Sequence, residues 1–404
     1  MRGVGIINKA LKYLITLMLL ICLAIFGCSN QRPGGEINIP PPGAREPEIE
    51  KIKITAVGDF LMHMPLIRTS YDPAANAYSF KKMFKEVEPL LKDSDFTIAN
   101  LETTLSGPET GYSGYPIFNC PAQLAHDMKT MGIDMVSTAN NHCLDKGLQG
   151  LTKTLDNLDA AGLKHLGTYR TPDEKNEPML VDIKGIKVGF INYTQSTNGI
   201  LVPSGSGHAV NIIKREDMLS EIQLLREKAD IIVAILHFGT EYQRSPNDFQ
   251  KILVRELFEG GVDIVLGGHV HVVQPMEWQT VLREGQESRC FVIYSLGNFV
   301  SNQTWRYSDC GIILNLYITR KPGEKARLES VDYVPVWVDS YPEGGKNLYR
   351  VLPVKEQPPE KEILSKSDQW RDIGLTQEDY YKLKEVWQDT TTLLGPQYTA
   401  PAGG

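Results

Sequence analysis

The chain has 404 residues and a formal net charge of −7, with 42% apolar and 23% charged residues. This is an ordinary globular balance, long enough for one large domain or two average ones. The acidic charge excludes a broad nucleic-acid footprint, which needs a basic face, but leaves anionic substrates open because a bound metal inverts the local field.

The first 27 residues stand apart. Arg2, Lys9 and Lys12 precede "YLITLMLLICLAIFG", an uncharged run. It is short for a membrane span and suits the apolar region of a secretory signal. Ile25, Gly27 and Cys28 resemble a bacterial lipobox, with Phe26 where a small or hydroxylated residue is usual. The expectation is a lipoprotein signal over 1–27, lipidation of Cys28, and a protein held on the extracytoplasmic face of the cell membrane. An uncleaved signal anchor is the alternative. Residues 28–50, rich in Pro, Gly and charge, read as a flexible tether.

A domain over 51–340 opens with the strand "KIKITAVGD", which turns at Gly58. Four more apolar runs follow: "DFTIANLE", "GIDMVSTANNH", "ADIIVAILHFG" and "GVDIVLGGHVH". "CFVIYSLGNF" completes the set. Near-continuous apolar runs are what strands covered on both faces look like. Between them, Phe80, Phe84, Val87 and Leu91 step at helical spacing, as do Leu148, Leu151, Leu155 and Leu158. A third helix runs through "NDFQKILVRELFEG" to Gly260 and Gly261. "LVDIKGIKVGFINYT" reads as a hairpin turning at Lys184–Gly185, and the later strands alternate like an antiparallel edge. The sum is a layered α/β domain. Residues 341–404 read as a C-terminal extension with one helix near "TQEDYYKLKEVWQ". Cys120, Cys143, Cys290 and Cys310 are widely spaced and read mostly as small buried hydrophobes.

Each apolar run ends in residues suited to a metal. Asp59 is followed by His63, and Asn100 by Glu102. Asn140, Asn141 and His142 close the third run, His237 and Glu241 the fourth, and His269 and His271 the fifth. Ligands bind at the carboxyl edge of strands in open α/β sheets. A lone strand-end histidine is usually an ordinary core or surface residue, and His126, His165 and His208 have no such context. Convergence of so many candidates on one edge is what two divalent ions about 3.5–4 Å apart would need. Mn, Zn or Fe suits these mixed nitrogen and oxygen ligands, whereas Mg alone does not. If the segment is extended, His269 and His271 face one side while Val270 enters the core.

The motifs "AVGDFLMH", "NLETTLS", "ANNHCLDKG", "HFGTEY", "GGHVHVVQP" and "YSLGNF" resemble the CapA family of the calcineurin-like metallophosphoesterase superfamily. The resemblance spans roughly residues 52–305. It implies a four-layer αββα sandwich and a role in capsule (poly-γ-glutamate) synthesis. It makes Asp59, Glu102, Asn141, His237, His269 and His271 metal ligands; either His63 stands in for the histidine absent at Leu61 or the site lacks that ligand. It sets His142 beside the substrate with Asp145 as its acidic partner and Ser295 and Asn298 in the pocket, which the strand-end residues Asn100, Asn140 and Glu241 are also expected to line. The function expected is dinuclear-metal hydrolysis of a phosphoester, or of an amide or ester in an acidic surface polymer. The alternative is a non-catalytic, metal-dependent polymer-binding subunit of a membrane-bound synthase.

Overall fold

The structure, a computed structural model, describes residues 49–354 and 373–395. The expected signal, Cys28 and nearly all of the tether lie outside the described residues.

The strands are β1 (Glu50–Phe60), β2 (Tyr71–Asp72), β3 (Ala77–Tyr78), β4 (Phe96–Leu101), β5 (Met135–Ser137), β6 (Lys164–Leu166), β7 (Met179–Ile183), β8 (Ile186–Thr194), β9 (Ile231–His237), β10 (Ile264–Gly268), β11 (Met276–Arg283), β12 (Gln286–Ile293), β13 (Asn298–Val300), β14 (Cys310–Arg320), β15 (Arg327–Glu343) and β16 (Lys346–Pro353). The helices are α1 (Met64–Thr69), α2 (Lys81–Phe84), α3 (Glu88–Lys92), α4 (Gln123–Thr130), α5 (Gly147–Ala161), α6 (Pro172–Asn176), α7 (Arg215–Arg226), α8 (Asp248–Gly260) and α9 (Gln377–Leu394).

Apart from the short β2–β3 hairpin, the strands form two mixed sheets. One runs β16-β15-β14-β1-β4-β5-β6, with β13 also paired to β1; the other runs β11-β12-β10-β9-β8-β7. Each has a parallel block, β1-β4-β5-β6 and β8-β9-β10-β12, with antiparallel strands on one side of the first and on both sides of the second. The sheets pack face to face. Ile52, Ile54 and Ile98 of the first share a core with Phe190, Val233 and Ile264 of the second, and Phe96 stacks on Phe190 at 5.8 Å. On the outer face of the first sheet lie Leu66, Phe84, Leu91, Leu124 and Leu155 from α1–α5. The outer face of the second is covered by Met218, Ile222, Leu253 and Leu257 from α7 and α8. The result is a four-layer αββα sandwich, as expected.

Local chemistry accounts for the boundaries. α8 opens with a capping box, Asn247 accepting from the Gln250 backbone and Gln250 from the Asn247 backbone, and closes on Gly261 at φ +124°. The β7–β8 hairpin turns at Lys184 and Gly185, both at positive φ, the pairing that a two-residue hairpin favours.

Two elements differ from their sequence patterns. The step through Phe80, Phe84, Val87 and Leu91 is carried by two short helices, α2 and α3, all four side chains being buried. "CFVIYSLGNF" is two strands in different sheets, β12 and β13. The chain crosses between them at Gly297, φ +72°, whose N–H donates to Ser295 Oγ (3.1 Å). An apolar run cannot reveal this, because both strands are buried equally.

The first sheet also extends past residue 340: β15 continues to Glu343 and β16 pairs along it. α9 then packs Leu383 and Val386 against Trp337, Leu352 and Val354. The four cysteines downstream of Cys28 are free and buried.

Candidate metal centre

The centre sits where the strands of both sheets end. β1 delivers Asp59, whose N–H donates to Gly297 O (3.1 Å) and which lies in register with Asn298 of β13. Gly58 allows that approach, since a Cβ there would lie 1.8 Å from the Gly297 oxygen. Glu102 follows β4 directly and is fully buried. His237 is the last residue of β9. Its Nε2 lies 3.4 Å from Glu102 Oε1 and 2.6 Å from Asn141 Oδ1.

β10 ends at Gly268, so His269 and His271 are not on an extended segment. Their φ angles are +89° and +59°. Left-handed backbone at a non-glycine residue costs on the order of 1–3 kcal/mol and persists only where the surroundings impose it. The two imidazoles therefore converge through a bend rather than through strand alternation, their ring centres 6.3 Å apart, with Val270 buried as expected. Gly267 and Gly268 make room. A Cβ would meet Tyr294 O at 2.0 Å from the first and Asp59 Oδ1 at 3.0 Å from the second.

Two overlapping groups result: Glu102, His237 and His269, and Asp59, Glu102 and His271. The potential ligand atoms of each lie within 4.8 Å of one another. Glu102 belongs to both. Asp59 Oδ2, both Glu102 oxygens and His269 Nδ1 are buried with no hydrogen-bond partner. Such orphaned charge-bearing atoms are costly unless paired or bound to a metal, so the residues fit divalent ions.

For Asp59, His237 and His269 the electrostatics agree with that fit. Burial alone would raise the Asp59 carboxyl, but His271, His237 and Asn100 hold it at about 2. Burial and the neighbouring Asp59 push Glu102 well above the ordinary carboxylate range. Burial pulls His237 down to about 3 and His269 to about 2, leaving both neutral and able to donate a lone pair. His271 is opposed by burial but lifted to about 9 by Glu102 and Asp59.

Outer partners fix these candidate ligands. Asn100 Nδ2 donates to Asp59 Oδ1 (2.7 Å). Asn298 Oδ1 faces His271 Nδ1 at 3.0 Å, while its Nδ2 donates to Ser308 O (2.7 Å) and Gln303 Oε1 (3.0 Å). Asn298→Ala is expected to weaken metal binding roughly 10–100-fold, the usual effect of losing a partner that orients a histidine. Titration of the apo protein with Mn²⁺ by calorimetry checks it.

Beside the groups stands a dyad. His142 Nδ1 lies 2.8 Å from Asp145 Oδ2, which also accepts the Phe118 N–H at 2.6 Å. The Phe118 ring meets the imidazole edge-on at 4.6 Å. With its Nδ1–H donating to Asp145, the imidazole has Nε2 left as the exchangeable atom, which lies 3.4 Å from Asn198 Nδ2. Asn140 links strand end and dyad, donating to Leu101 O (2.8 Å) and accepting the His142 N–H (3.1 Å).

His63 joins neither group. It is the cap residue of α1, which begins at Met64 with Pro65 in its first turn, and its Nδ1 takes the Asn302 N–H at 3.2 Å. Leu61 is buried. Ser295 supports the turn at Gly297. Glu241 is exposed, with its charge acting on His237 and His271. His165 and His208 bond Asp159 and Arg170 O, away from the groups, and His126 is exposed on α4.

Sequence reasoning overlooked three residues: Asn198, Gln303 and Asn192. Asn192 Oδ1 accepts from the N–H groups of Thr138 (3.2 Å) and Ala139 (2.8 Å), bracing the segment that leads to Asn141. Asn198 had one local signal, the Asn-Gly turn dipeptide it forms with Gly199.

The fold and the site define a four-layer α/β domain with histidines and carboxylates gathered at its strand ends. The family model described as "Bacterial capsule synthesis protein PGA_cap" matches residues 53–303, and the chain belongs to that family. It is 25% identical over 283 residues to the PGA biosynthesis protein CapA of Bacillus subtilis (strain 168), covering 68% of this chain and 70% of that protein. It is 26% identical over 277 residues to the capsule biosynthesis protein CapA of Bacillus anthracis, covering 66% of this chain and 64% of that one. Among solved structures, the calcineurin-like phosphoesterase YfkN from Bacillus subtilis aligns at 15% identity with a TM-score of 0.46, over 71% of this chain and 91% of the other.

Proposed function

We propose that this protein works on the extracytoplasmic face of the cell membrane in the synthesis or export of an acidic capsule polymer of the poly-γ-glutamate kind. Its centre hydrolyses a phosphoester, or an amide or ester bond of that polymer. The observation that carries the reading is the pair of three-residue groups sharing Glu102, with the His142–Asp145 dyad alongside. Family membership supplies the capsule context.

Two divalent ions, Mn, Zn or Fe, held by Asp59, Glu102, Asn141, His237, His269 and His271, would supply Lewis acidity to the reacting group. The chain's own residues do the rest. Asn100 and Asn298 keep ligands oriented, and burial excludes bulk water. Asp145 fixes the tautomer of His142, so that Nε2 can hold a proton for a leaving group. A lipid on Cys28 would keep the domain at the membrane, where a polymer synthase could act as partner.

One observation favours a second reading. The buried Leu61 supplies no ligand where the superfamily motif has histidine, and His63 does not replace it. A centre with fewer ligands could bind polymer carboxylates without turnover, as a subunit of the synthase.

The test uses full-length protein with its metal content measured. It is offered p-nitrophenyl phosphate and γ-glutamyl polymer, with and without chelator. Chelator-sensitive turnover of either supports hydrolysis. Metal-dependent polymer binding without turnover supports the accessory role. Absence of both turnover and metal-dependent polymer binding sinks both readings.

A further inference from the structure

We propose that Tyr242 and Trp305 form a stacking subsite beside the metal centre. It takes the planar or methylene part of a substrate whose anionic group goes to the ligand cluster.

Both side chains are large, aromatic and open, 43% and 51% exposed. The Tyr242 ring lies 5.9 Å from that of His271, and the Trp305 ring meets Tyr242 at 5.4 Å in an edge-on arrangement. They thus continue the centre outward as a wall. Exposed aromatics next to a polar cluster are the usual composition of a ligand site.

The wall is built, not incidental. Tyr242 is held at φ +63°, an uncommon angle for a residue with a bulky side chain. Its N–H donates to Val270 O (2.8 Å), between the two histidines. Its hydroxyl accepts from Gln303 Nε2 (3.3 Å), and Gln303 is tied in turn to Asn298, the partner of His271. The loop bearing Trp305 is fixed to α9. Arg306 makes a two-pronged bond to Asp389 (2.8 and 2.7 Å), and Arg244 donates to the Asp389 backbone oxygen (2.9 Å). Both guanidiniums also lie over the Tyr307 ring, at 4.9 and 4.1 Å.

Charge sets the class of occupant. Arg244 and Arg306 are held on α9 and Tyr307, and Glu241 adds a negative charge beside the wall. The wall therefore does not grip a row of carboxylates. Anion recognition belongs to the ligand cluster, and the wall recognises what is bonded to the anion. A γ-glutamyl chain has this character, each carboxylate being flanked by an amide plane and methylenes. Naming that chain rests on the function proposed above; the stacking subsite does not.

Metal-loaded full-length protein is titrated with a γ-glutamyl oligomer, inorganic phosphate and phenyl phosphate, and bound metal is measured in each variant. Trp305→Ala and Tyr242→Ala should weaken oligomer binding at least tenfold while phosphate affinity and metal content change less than twofold. Tyr242→Phe, which keeps the ring, should stay near wild type. If wild type binds phosphate but no oligomer, the polymer reading falls, and phenyl phosphate decides the subsite. A preference for phenyl phosphate over phosphate that Trp305→Ala removes upholds it. Equal affinity of wild type for those two anions overturns it, as does an oligomer affinity unchanged in both alanine variants.

Discussion

Glu102→Gln is expected to abolish metal binding at both groups and to lower any turnover by at least about 10³-fold, more than the roughly 10–100-fold typical of losing an outer partner. The reason is position. Glu102 is the residue the two groups share, and both its oxygens are buried without another partner. The variant also separates metal effects from folding effects. With metal at about 1,000 times its dissociation constant, the wild type should gain about 4 kcal/mol, and Glu102→Gln should lose most of that gain. The metal-free proteins should show the opposite order. Burial and Asp59 raise the Glu102 pKa in the folded state, so the folded protein holds a proton that the unfolded chain has released. Stability of the metal-free wild type therefore falls as pH rises from the unfolded value through the raised folded one. Glutamine removes that fall. Thermal melts in chelator from pH 4 to 8 should show the variant as stable as wild type at the acid end and more stable at neutral pH. A variant that binds metal normally would sink the shared-ligand assignment.

His142→Ala should leave metal content unchanged and reduce turnover by about 10²–10⁴-fold, the range expected for losing a positioned acid or base. His142 belongs to neither metal group, and its Nδ1 is committed to Asp145. Asp145→Asn should be milder, roughly 10–100-fold, since an amide oxygen can still accept the Phe118 N–H and keep the loop in place. Steady-state rates with p-nitrophenyl phosphate, beside metal analysis of each variant, check the order. Equal turnover in His142→Ala and wild type would remove the dyad from the chemistry and favour the polymer-binding role.

Composition and periodicity were enough to read a layered α/β domain. Parallel strands buried on both faces are largely apolar, and β9 and β10 are so up to the residues that end them. The polar residue ending each run announced Asp59, Glu102, His237, His269 and His271, because ligands at a sheet's carboxyl edge have to follow the strand directly. The tertiary structure decided what depends on distant backbone. Only the bend at His269 and His271 shows how those rings meet, since the surrounding contacts impose φ angles that local sequence does not. Only the start of α1 directly after His63 shows why that residue stays out of both groups. Only the packing of β13 on β1 and of α9 on the 301–309 loop shows that Asn298, Gln303 and Asp389 support one site. Hydrogen bonds between residues tens of positions apart leave no periodic trace in a sequence, so the strand-end candidates were legible, with Asn100 and Asn298 among them, while Gln303, Asn192 and Asn198 were not.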